Sequence, residues 1–181
     1  MIPAQKTLLR AKMKEKRAHL FQENPEAGKQ VATLFFENFD LPPQGIVGAY
    51  WPMGSELDIR PLLKSLMEKE VSCALPRITP QGLEFHIWMD AHPLIQGPFQ
   101  ILEPHPTDDS VVPDVLLIPL LAFDKRKHRL GYGQGHFDRY LHQYKVLTIG
   151  IGFKEQEIEE IPIQSHDFAL DHILTEKGLI V

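Results

Sequence analysis

Residues 115–144 constrain the fold more than any other stretch of the chain. They open with an almost wholly apolar run, 115–123, from Val115 to Phe123. That run is far shorter than the roughly 20 apolar residues a membrane span needs. Aspartates at 114 and 124 bound it, so it reads as a strand buried on both faces of a parallel sheet. A charged turn, 124–129, comes next, and then glycines at 131, 133 and 135. Residues 136–144 read as a helix, because Phe137, Tyr140, Leu141 and Tyr144 fall three and four apart on one face.

Buried strand, glycine-rich loop and helix, in that order, suit a phosphate. Glycines let the backbone take positive φ and let a ligand approach closely. The freed N–H groups form an anion nest, and the following helix adds its positive end. Arg129 at the loop entrance adds charge-assisted donors. Asp138, in the first helical turn, either complements the helix dipole or holds a Mg²⁺ that bridges phosphate oxygens. The spacing is neither that of a P-loop, since no Gly-Lys-Ser/Thr follows, nor that of the dinucleotide fingerprint. Taken as bare glycines, the loop reads first as a structural turn; Arg129 before it and Asp138 after it shift the reading towards phosphate.

At 181 residues the chain suits one domain, 1–181, with a sizeable core. A net charge of −5 argues against a partner made of nucleic-acid backbone, which calls for a basic surface. The single cysteine, Cys73, rules out a disulfide framework and a cysteine-based metal site. The nine histidines show no metal-ligand spacing. No apolar signal segment opens the chain, so a reducing cytoplasm and no membrane association are expected. The basic run 125–129 reads as a phosphate funnel rather than a nucleic-acid patch.

The remaining chain alternates helical and strand patterns. Helices are predicted over 4–21, 26–38 and 60–70. Strands are predicted over 46–51, 71–75, 83–89, 146–153 and 170–175. The segment 90–114 is proline-rich and aperiodic, as a functional loop or short unrecognised strands would be. Such alternation requires crossover connections. The expected fold is α/β: three layers, a mostly parallel sheet with helices on both faces, Rossmann-like. Lys6 and Arg10 share one face of the first helix, either as a solvated surface or as a clamp on a polyphosphate; the other basic residues of that helix read as surface. Trp51 either packs in the core or offers an aromatic face to a ligand ring. Glu56 either charges a helix start or accepts N–H donors from a ligand. Ser165-His166-Asp167 reads as a cap or turn.

The set Phe123-Asp124 and Arg129-Leu130-Gly131-Tyr132-Gly133-Gln134-Gly135-His136-Phe137-Asp138 resembles the signature of the 5-formyltetrahydrofolate cyclo-ligases, also called methenyltetrahydrofolate synthetases. The chain departs from that signature at Lys127-His128, where a glycine turn is common, at Gln134, and at His136-Phe137, which replace an aromatic pair. The resemblance runs nearly the full length. It implies ATP contacts at Lys6, Thr7, Leu8, Leu9 and Arg10 and from Arg129 to Phe137, including Leu130. It implies catalytic charge from Lys6, Arg10 and Arg129. Folate contacts are implied at Trp51, Glu56, Tyr132, Gly133, Gln134, Gly135 and His136. Mg²⁺ is implied at Asp138 and at Asp171, which matches through the pattern Leu170-Asp171-x-Ile173-x-Thr175-Glu176. The implied reaction is ATP- and Mg²⁺-dependent cyclisation of 5-formyltetrahydrofolate (folinate) to 5,10-methenyltetrahydrofolate by a cytoplasmic monomer. Two other classes fit the residues alone: a phosphosugar- or CoA-handling enzyme on a similar sheet, and a non-catalytic nucleotide- or RNA-binding module.

Overall fold

The computed structural model describes residues 1–107 and 109–181. The chain runs α1 (Ile2–Glu23), α2 (Ala27–Asn38), β1 (Ile46–Gly48), α3 (Arg60–Glu68), β2 (Ser72–Thr79) and β3 (Gly82–Trp88). It continues through β4 (Ile95–Gln96), β5 (Leu102–Glu103), β6 (Val115–Pro119), β7 (Ala122–Phe123) and β8 (Arg129–Leu130). It ends with α4 (His136–Gln143), β9 (Leu147–Gly152), β10 (His172–Thr175) and β11 (Gly178–Leu179).

Seven strands form the central sheet in the order β11-β10-β9-β6-β1-β2-β3. The five inner strands are parallel, and β3 and β11 close the two edges antiparallel. β6 lies near the middle and all of its residues are buried, as its apolar run predicts. Its side chains alternate between two cores. Val115 and Leu117 pack with α2, α3 and Leu20 of α1, while Leu116 and Ile118 pack with Tyr140 of α4. Helices therefore cover both faces, and the expected three-layer α/β architecture holds. No described helix is long and apolar enough to cross a membrane.

Two departures from expectation have physical reasons. The run 115–123 is not one strand. Pro119 has no N–H to donate, so β6 ends there; the chain turns and Ala122–Phe123 pairs with Arg129–Leu130 in a separate small sheet. Gln156, buried on a turn after β9, holds that corner by donating to the carbonyls of Leu120 and Leu121. β2 continues past Pro76 because β1 pairs only with its first three residues. Pro76 thus sits on an open edge, where a missing donor costs little. The aperiodic segment 90–114 holds the short β4–β5 hairpin; residue 108 of it lies outside the described residues. Buried Glu103 fastens this hairpin to β2, accepting from the N–H of Ile78 at 2.8 Å and pairing with Arg77 at 3.5 Å.

Candidate active site

The strand order reverses at β1, whose neighbours are β2 on one side and β6 on the other. A crevice beyond the carboxyl ends of the strands at such a point is where open α/β sheets bind ligands. A cavity of about 500 Å³ lies there. Tyr50 and Trp51, just after β1, and Pro119, the last residue of β6, line it.

α1 supplies one wall. Met13 anchors it, packing with Leu121, Ala122, Leu130 and Ile161. Lys6, Arg10, Lys14 and Arg17, spaced four, four and three along the same side of the helix as Met13, all line the cavity. Lys6 is 6% exposed and pairs with Asp167. Asp167 also accepts from the N–H of Gln164 at 2.8 Å, and the Lys6 ammonium helps hold its carboxyl below the usual carboxylate range. Arg10 donates through Nε to the carbonyl of Gly131 at 2.8 Å, which ties the helix to the glycine loop.

Every residue from Arg129 to Asp138 lines the cavity. Gly133 and Gly135 have φ of +97° and +70°, a region that side chains avoid. Gly135 is also the residue from which α4 starts. At Gly131 a Cβ would meet Arg129 Nη1 at 2.6 Å, so a side chain there would push the guanidinium aside. The Arg129 side chain is only 8% exposed and lies 3.6 Å from Asp138. Burial lowers its affinity for its proton, and the charges of Asp138 and Asp167 offset this. His136 accepts at Nδ1 from Arg139 at 3.1 Å, since a guanidinium only donates. Its buried Nε2 has no partner among the described residues. Together these groups form a cationic, N–H-rich pocket that suits a polyphosphate.

The loop after β1 forms the facing wall. Trp51 is half-buried and meets Trp88 edge-on, centroids 5.5 Å apart. Glu56 is 5% exposed and accepts from the N–H of Met53 at 3.2 Å. Burial pushes its carboxyl up to about 7, with Arg17 pulling it back. A poised carboxylate beside an indole is a recognition site for a flat, N–H-bearing ring. Pro76, Ile78, Leu83, Phe99 and Ile101 extend the apolar lining.

The structure thus brings together Lys6, Arg10, Trp51, Glu56 and all of 129–138. It leaves out Thr7, Leu8 and Leu9. The Thr7 hydroxyl donates to the carbonyl of Pro3, Leu8 is 76% exposed, and Leu9 packs with Met13; helical geometry points them off the Lys6–Arg10 face. Asp171 is a correction. It stands at the amino end of β10, away from the cavity, and its Oδ2 accepts from the N–H and the hydroxyl of Thr148 at 2.8 and 2.9 Å. The carboxylate that does join Asp138 is Asp167, read from sequence as a cap. The basic run 125–129 is no funnel, since only Arg129 lines the cavity. Arg126 pairs with Glu160 at 2.6 Å and Lys127 donates to the carbonyl of Asp171 at 2.9 Å. Lys14 and Arg17, read as surface, belong to the site; their spacing from Arg10 was the available signal.

The profile of the 5-formyltetrahydrofolate cyclo-ligase family matches residues 2–176. The chain belongs to that family. It is therefore an enzyme, a ligase of folate metabolism, and the matched span includes the glycine motif that lines its cavity end to end. The 5-formyltetrahydrofolate cyclo-ligase of Saccharomyces cerevisiae is 30% identical over 162 residues, covering 74% of this chain and 77% of the yeast protein. That of Escherichia coli K12 is 29% identical over 170 residues, covering 88% and 93%. That of Mycolicibacterium smegmatis is 35% identical over 146 residues, covering 75% of each. Among solved structures, the Aquifex aeolicus 5,10-methenyltetrahydrofolate synthetase superposes with a TM-score of 0.82 at 28% identity, over 96% of this chain and 91% of that one. The Mycoplasma pneumoniae 5,10-methenyltetrahydrofolate synthetase superposes at 0.74 with 22% identity, over 94% and 98%, and shows the shared fold.

Proposed function

We propose that this cyclo-ligase converts 5-formyltetrahydrofolate and MgATP to 5,10-methenyltetrahydrofolate, ADP and phosphate through a phosphorylated formyl group. The observation that carries this reading is the two-sided cavity: a cationic, N–H-rich wall faces a buried carboxylate and an indole across one space. Phosphoryl transfer mainly needs positioning and charge neutralisation, and that wall offers both. Lys6, Arg10 and Arg129 take the triphosphate charge. The glycine loop and the start of α4 give N–H donors to its oxygens. Glu56 accepts from the pterin N–H groups, and Trp51 packs against the ring.

The formyl oxygen attacks the γ-phosphorus, and the bond to ADP breaks. N10 then attacks the activated formyl carbon and gives up its proton to water or phosphate. The carbon–oxygen bond breaks, and phosphate leaves carrying the former formyl oxygen. The five-membered methenyl ring remains.

The donor set fits a magnesium ion that arrives on the nucleotide. Among the described residues no cluster of three or more metal-ligating side chains exists, as a protein-only site would require. Mg²⁺ commonly takes one or two carboxylates and completes its shell with water and phosphate. Asp138 and Asp167 both line the cavity beside Arg129 and would hold it there. Bound, the ion neutralises charge on the phosphate oxygens.

A substrate labelled with ¹⁸O in the formyl group tests the route. Label recovered in inorganic phosphate supports it. Label lost to water, with phosphate unlabelled, refutes formyl phosphorylation.

A further inference from the structure

Arg17 is 3% exposed, the most buried basic side chain of α1. A guanidinium so far from water keeps its charge, so its N–H groups must be satisfied. Nε donates to Ser55 Oγ at 3.1 Å and Nη1 donates to the carbonyl of Leu120 at 3.3 Å. These bonds tie α1 to the loop that carries Glu56 and to the corner at the end of β6. The guanidinium carbon also lies 5.5 Å from the centroid of the Tyr132 ring. One side chain therefore touches three of the segments that build the cavity.

Glu56 has little else to define it. The one hydrogen bond that its carboxylate makes among the described residues comes from the N–H of Met53. Around this region Tyr50 donates its hydroxyl to the carbonyl of Leu57 at 2.8 Å, and Tyr132 approaches from the glycine loop. Asp58, further along the same loop, is neutralised by Arg60 through contacts of 2.9 and 2.8 Å. Arg17 is the only cation that acts on Glu56 among the described residues.

We propose that Arg17 is a positioning residue for folate recognition: its two hydrogen bonds set the Ser55–Glu56 loop, and its charge keeps Glu56 an anionic acceptor for the pterin N–H groups. The proposal rests on the assignment of Glu56 to the pterin. A protonated Glu56 would place a hydroxyl donor against ring donors, so its ionisation matters as much as its position. Burial raises the Glu56 carboxyl and Arg17 opposes that rise; an adjacent opposite charge is worth about 1–3 pH units to a carboxyl.

The test labels glutamate side chains with ¹³C at Cδ and assigns the Glu56 signal by its loss in Glu56→Gln. Titration of the ligand-free protein then gives the Glu56 midpoint directly. Arg17→Met is expected to raise it by about one pH unit or more; an unchanged midpoint overturns the proposal. With a midpoint moving from about 7 to about 8, the ionised fraction at pH 7.5 falls about threefold. The KM for 5-formyltetrahydrofolate is then expected to rise at least threefold, to recover only in part at pH 9, since the loop still lacks the two hydrogen bonds, and to leave the KM for ATP unmoved. A moved midpoint with an unmoved folate KM would show that the pterin is not at Glu56 and would remove Arg17 from folate recognition. Arg17→Lys keeps the charge but not the paired hydrogen bonds. It is expected to hold the midpoint near that of the parent protein while raising the folate KM, and it decides the matter should Arg17→Met not fold. A lysine variant matching the parent protein in both readouts refutes the positioning role.

Discussion

Glu56→Gln should stabilise the ligand-free protein at alkaline pH while weakening folate binding. The folded-state midpoint of Glu56 is about 7 against an ordinary 4.5. Between those values the folded state holds a proton that the unfolded state has released, so stability falls as pH rises through the window. At about 1.4 kcal/mol per pH unit, ionising Glu56 costs the folded state about 3 kcal/mol by pH 8. Glutamine resembles the protonated acid, keeps an oxygen to accept from the Met53 N–H, and avoids that cost. The gain should be near zero at pH 4.5 and approach about 3 kcal/mol at pH 8, a rise in Tm of roughly 6–12 °C for a chain of this size. Thermal or urea melts of both proteins across that range measure it. A glutamine variant no more stable than its parent at pH 8 would refute the reasoning, because Glu56 would then be ionised at no cost.

Four further substitutions separate the roles of these residues. Gly133→Ala places a side chain at φ +97° with its Cβ 3.1 Å from Arg10 Cζ; a strain of roughly 1.4 kcal/mol would raise the KM for ATP about tenfold, read by steady-state kinetics. Asp138→Asn and Asp167→Asn should each lower kcat about tenfold or more and raise the Mg²⁺ concentration needed for half-maximal rate; an unchanged Mg²⁺ titration removes that residue from the metal. Asp171→Ala should leave kcat and the Mg²⁺ titration unchanged but lower stability by about 1–2 kcal/mol, since Thr148 loses the acceptor for its N–H and hydroxyl.

The parts of this protein that read clearly from sequence are those where local pattern and tertiary role agree. The first five residues of the apolar run 115–123 form the buried strand that the run predicts, and the glycines followed by an amphipathic stretch form a loop opening a helix. What the sequence hid depends on long-range contact. The charged run from Asp124 looks solvated, yet Asp124 is fully buried. It accepts from the N–H groups of Arg126, His128 and Ile161, the last of them remote in sequence. Asp167 and Asp171 lie four residues apart in similar company; only the fold decides that one meets Lys6 while the other caps β9. Arg17 was hidden because a basic residue on a basic helix reads as surface until the Met13 contact fixes which face turns inward. The spacing of Lys14 and Arg17 from Arg10, four and three, is the feature of the sequence that places them on the same face.

The most direct test of the account mixes purified protein with 5-formyltetrahydrofolate, ATP and Mg²⁺ and follows the near-ultraviolet absorbance of the methenyl product, with each component omitted in turn. The account predicts a rise that requires all three and that collapses in Lys6→Ala and Arg129→Met. A rise that persists without ATP, or none from folded protein with all three present, would contradict it.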